Sequence, residues 1–108
     1  MANDTFRALV ILPDGTHEFR DVPHSVPGMQ SLIDGGYTEA VTMGDDVLML
    51  VDEDGMSKGL APNIAATSLT AAMGRPTSMI LLGPVAFVGI DGGEEMLDVP
   101  ERVATLVA

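Results

Sequence analysis

The residues best suited to chemistry lie in one stretch of the chain. From residue 55 to 90 there is no Asp or Glu, while Lys58 and Arg75 contribute +2. Between them runs Gly59-Leu60-Ala61-Pro62-Asn63, a loop that leads into a predicted helix over 63–73. A helix start carries unbonded N–H groups and a partial positive charge, and two flanking cations would reinforce it. Lys58, Gly59, Pro62, Asn63 and Arg75 are therefore the candidate ligand-binding residues, and a small anion is the ligand they would suit. The same residues also read structurally: Gly59 turns the chain, Pro62 sits in the first helical turn and Asn63 caps locally. On that reading the stretch sheds carboxylates because it is buried.

Other constellations carry less. His17-Glu18 begins like a zinc metalloprotease motif, but the second His is missing and a strand would not place the ligands together. Asp52-Glu53-Asp54-Gly55 lacks the further ligands of a calcium loop, and reads as an acidic hairpin end. None of the serines occupies a Gly-x-Ser-x-Gly elbow, and no Gly-rich phosphate cradle occurs. With no Cys, a disulfide, a thiolate nucleophile and a zinc–cysteine site are all excluded. No metal, no cofactor and no catalytic residue is expected, so the sequence reads as a non-enzyme.

The elements that must position the candidate loop follow from turn signals and apolar runs. Residues 6–12 are nearly all apolar, as a central strand covered on both faces would be. Pro13-Asp14-Gly15 then predicts a turn into a more polar strand over 16–22, nearer an edge. Ser25 is placed to cap a short helix over 26–34, with Gly35-Gly36 as its stop. A second hairpin pairs 37–43 with 47–52. Residues 79–90 predict a strand bent at Gly83-Pro84. Asp98 followed by Glu101 has the spacing of a capping box for a last helix over 100–107. The expected fold is α+β, order ββαββαβα: a mainly antiparallel sheet of about five strands with two or three short helices on one side. Met56 and Met96 fall in apparent loops, where flexible apolar side chains could meet a partner or a second copy of the chain.

Composition bounds the function. The 108 residues are one domain's worth, with 46% hydrophobic residues and a net charge of -11. Eleven of the sixteen carboxylates lie in residues 1–54 and the other five in 91–108. A basic footprint for phosphates is absent and only four aromatics occur, so direct nucleic-acid binding is not expected. No apolar run approaches the ~18 residues of a membrane span. The start of the chain is acidic rather than basic, and a cytoplasmic protein is the expectation.

Across residues 6–107 the sequence also resembles the uncharacterised domain-of-unknown-function family 3846, small proteins of phages, plasmids and other mobile elements. The resemblance is carried by Arg7-Ala8-Leu9-Val10, by Leu32-Ile33-Asp34-Gly35-Gly36-Tyr37-Thr38-Glu39-Ala40-Val41 and by Asp45-Asp46-Val47-Leu48-Met49-Leu50-Val51-Asp52-Glu53-Asp54-Gly55. Lys58-Gly59-Leu60-Ala61-Pro62-Asn63 and Gly83-Pro84-Val85-Ala86-Phe87-Val88-Gly89 continue it. It brings no activity or catalytic residue. It implies an accessory protein of a phage or mobile element, acting in the bacterial host by occupying a host protein or sequestering a small anionic ligand. An acidic DNA mimic, a structural virion component and adaptation to high salt are the other readings of the charge. A mimic would need its carboxylates on one continuous face.

Overall fold

The computed structural model describes residues 5–33, 38–44, 46–74, 80–91 and 96–107. Among these residues six strands form one antiparallel sheet: β1 (Thr5–Ile11), β2 (His17–Pro23), β3 (Thr38–Thr42), β4 (Val47–Asp52), β5 (Val85–Ile90) and β6 (Met96–Leu97). The spatial order is β2-β1-β5-β4-β3, with β6 also paired to β5. The described residues also form three short helices: α1 (Val26–Ser31), α2 (Ile64–Ala72) and α3 (Glu101–Ala104). The α+β class and the order ββαββαβα match the expectation, with β6 added.

The central strands explain the apolar runs. Leu9 and Ile11 of β1, Val47 and Met49 of β4, and Val85 and Phe87 of β5 point to one face, where α2 and α3 add Ala66, Leu69 and Val103. The alternate residues Ala8, Val10, Leu50, Ala86 and Val88 fill a second cluster with Leu32 and Met29 on the other face. Helical segments thus cover both faces rather than one. A strand such as Val85–Ile90, buried along nearly its whole length, requires a cover on each side.

Several local readings change. Residues 80–84 are not part of β5: Leu82 forms an isolated bridge with Pro62, and Gly83 turns the chain at φ +74. The left-handed backbone calls for glycine there, and a Cβ would in addition displace the end of the Leu60 side chain, whose Cδ1 would lie 2.7 Å away. The capping box does not form. Pro100 occupies the N-cap of α3 without a side-chain bond, and Asp98 Oδ1 instead accepts from the Arg7 N–H at 2.7 Å. The 96–99 segment wedges between the ends of β1 and β5: Val99 N–H donates to Arg7 O, and a Cβ on Gly89 would meet Asp98 O at 2.3 Å. Met96 consequently belongs to β6 and packs on the second cluster, whereas Met56 is 70% exposed. Ser25 caps α1 as expected, accepting from Gly28 N–H at 3.0 Å. Gly35 and Gly36 lie outside the described residues.

Candidate functional site

The loop that carries Lys58, Gly59, Pro62 and Asn63 begins where β4 ends. Asp52 closes that strand with its side chain only 2% exposed. One carboxylate oxygen accepts from the Asp54 N–H at 2.8 Å, and the other accepts from Lys58 Nζ at 2.8 Å. The Lys58 hydrogen bond, above all, holds the Asp52 carboxyl below its ordinary range, against the opposing effect of burial. The same hydrogen bond raises the Lys58 ammonium. Between them the chain turns on itself, with Lys58 N–H bonded to Asp54 O, Gly59 N–H to Met56 O and Leu60 N–H to Gly55 O. Gly59 sits at φ +66, the left-handed turn expected of it.

Asn63 is fully buried and lies at a junction of three segments. Its Oδ1 accepts from Ala66 N–H at 3.0 Å and caps α2. Its Nδ2 donates to Ile11 O at 2.9 Å and to Gly83 O at 2.8 Å. The backbone is equally committed, donating to Leu81 O at 2.7 Å and accepting from Thr67 N–H and Thr67 Oγ1. Thr67 Oγ1 in turn accepts from Leu81 N–H at 3.0 Å. Pro62 is exposed and lies one position before the cap, in the bridge to Leu82, not in the first helical turn. The bridge supplies its geometry, and the helix starts only once Asn63 can bond across to β1.

Lys58 and Asn63 thus flank one loop, but their polar atoms turn to different partners. Lys58 is half-exposed with its charge matched by Asp52, and Asn63 faces the interior. Arg75 lies outside the described residues. The arrangement holds a loop and a helix start onto the sheet, and among the described members of the set the side chain that keeps donors toward solvent is the Lys58 ammonium.

A cleft elsewhere on the molecule escaped the sequence reading. Arg7, Phe19, Asp98, Val99, Glu101, Ala104 and Thr105 line a cavity of about 520 Å³. The Arg7 guanidinium lies 4.2 Å from the centre of the Phe19 ring, a cation–π stack. The hairpin register explains the pair: Leu9 faces Phe19, so Arg7 is its diagonal neighbour on the same face. That register was implicit in the Pro13-Asp14-Gly15 turn. Among the described residues no group of three or more His, Asp or Glu is placed to hold a metal ion. His17 meets Phe19 edge-on and His24 packs against Phe6. No helix among the described residues is long and apolar enough to cross a membrane.

Residues 6–108 match a family model described as "Domain of unknown function (DUF3846)". No curated protein and no solved structure matches the chain.

Proposed function

We propose a function from one premise: the chain belongs to the DUF3846 family. It is a small non-enzymatic accessory protein of a phage or mobile element that binds a protein of the bacterial host. One observation carries this reading over the small-ligand one: the described polar groups of the candidate loop have partners within the fold, with only the outward donors of Lys58 left over. Asn63 makes three side-chain bonds to backbone, and Lys58 is ion-paired with Asp52. Arg20 and Arg102 likewise pair with Glu18 and Asp46. Cations neutralised internally leave the surplus of carboxylates facing outward, and a basic patch on a host protein is the complementary partner.

The positions of those carboxylates favour a protein partner over DNA mimicry. Asp14 and Glu53 are exposed at one end of the sheet, Glu101 at the other, and Asp21 and Glu39 on its two edges. Among the described residues no single continuous face collects them. Native mass spectrometry of the chain recovered from its host tests the reading. A stoichiometric complex with a host protein, weakening as salt rises, is expected. A small-molecule adduct lost in Lys58→Ala, or recovery only in assembled virions, would overturn it.

A further inference from the structure

The two edges of the sheet are built differently, and one of them fits a second copy of the same chain. β2 carries Glu18, Arg20 and Asp21 and ends at Pro23, which blunts it against further pairing. β3 is the opposite edge, Thr38-Glu39-Ala40-Val41-Thr42, with one charge and no proline. Its free groups follow from the ladder. Met43 N–H bonds to Val47 O on the β4 side. The antiparallel alternation therefore turns Val41 and Glu39 toward β4 as well, opposite Met49 and Val51. The β4–β5 pair agrees: Ile90 N–H bonds to Asp46 O, which commits Leu48 and Leu50 to β5. The N–H and C=O groups of Thr38, Ala40 and Thr42 consequently point away from the sheet, and among the described residues no strand pairs with them.

We propose that two copies of the chain join through antiparallel pairing of β3 with β3 about a two-fold axis at Ala40, making one continuous sheet. The sequence of the strand suits its own reversal. With Ala40 on the axis, Thr38 faces Thr42 of the second copy and Glu39 faces Val41. No like charges are set directly opposite each other, and the β-branched threonines and valine favour the pairing. The two-fold contact is closed, and the charged β2 edges left outside stop growth at the dimer. The net charge of -11 on each copy opposes association. Salt shortens the reach of that repulsion to about 8 Å at physiological strength. The dimer therefore strengthens as salt rises, the reverse of binding to a basic host protein, so the two proposals fail separately.

Sedimentation of the purified chain in low and high salt, over a range of concentrations, tests the pairing. A monomer–dimer equilibrium shifted at least tenfold toward dimer by 0.5 M salt is expected. Ala40→Pro removes an outward N–H without touching the β4 ladder, and Ala40→Glu sets two carboxylates face to face; each should leave a folded monomer. Ala40→Cys offers an independent readout in a protein with no cysteine of its own. It should cross-link on mild oxidation, whereas Glu53→Cys, exposed beyond the end of β4, should not. A wild-type monomer at all salts, or a dimer unaffected by Ala40→Glu, would overturn the proposal.

Discussion

Two polar junctions tie helices to the sheet, and their surroundings make them unequal. Asn63 ties the start of α2 to β1 and to the Gly83 turn from a fully buried position. Arg102 ties α3 to the turn before β4 by a two-pronged ion pair to Asp46, at 2.7 and 2.8 Å. The second junction has full charges and good geometry, yet its side chains are 57% and 49% exposed. Water already satisfies both ions there in the unfolded chain and screens them in the folded one. Inside, an amide that lets go takes a buried donor away from Ile11 O and Gly83 O with no solvent beside it to take its place. Burial, rather than charge, decides which junction the fold depends on.

The sharpest way to break this comparison is Asn63→Ala. The change removes the α2 cap, worth about 1 kcal/mol, and leaves Ile11 O and Gly83 O without this donor, at about 1–3 kcal/mol each. A loss of about 4 kcal/mol is expected in urea unfolding, a large share of the ~5–15 kcal/mol that holds an ordinary domain. Asn63→Asp separates the parts, because it keeps the cap acceptor but sets a carboxylate against two carbonyls. If Asn63→Asp proved as stable as the wild type, the clamp onto β1 and Gly83 would carry no weight.

Asn63 also marks how far the sequence could be read. The local half of its role, a cap three residues ahead of Ala66, was legible because capping depends on neighbours in the chain. The other half joins residues 52 and 20 positions away, and only the packed sheet brings them together. β1 and β4 were legible for a similar reason: a continuous apolar run is what a strand covered on both faces must have. β6 was not, since Met96–Leu97 is too short for any periodicity. The Asp98–Glu101 spacing misled because Asp98 bonds to Arg7, 91 residues away, in preference to its own helix. Within the stretch that lacks carboxylates, β5 bears out the buried reading, with Val85, Ala86, Phe87 and Val88 all at 0% exposure.

Between the two extremes stands Asp52–Lys58, one partner buried and the other half-exposed. Its effect should appear as a pH dependence. The Asp52 carboxyl is held below its unfolded value, so its contribution is complete above that value and is lost as pH falls through the folded one. The Lys58 ammonium is raised, so its contribution is complete below the unfolded lysine value and is lost as pH rises through the folded one. The stability gap between wild type and Asp52→Asn should therefore be flat from about pH 5 to pH 10 and close below about pH 4. Urea midpoints taken across that range measure it. A gap that widened in acid would show that the pair does not stabilise the loop.

The smallest effect is expected at Arg102→Ala. Exposed ion pairs contribute about 0–1 kcal/mol, and the two-pronged geometry at Asp46 places this one in the upper part of that range. Two further features keep it small. Val103, on the same helix, is 1% exposed and packs into the first cluster whether or not Arg102 is present. The unpaired Asp46 left behind is half-exposed and can take water in place of the guanidinium. A loss of less than 1 kcal/mol that shrinks further in 0.5 M salt is expected from urea unfolding. A loss comparable to that of Asn63→Ala, insensitive to salt, would mean that the outer clasp is shielded from solvent, and burial would no longer explain why the two junctions differ.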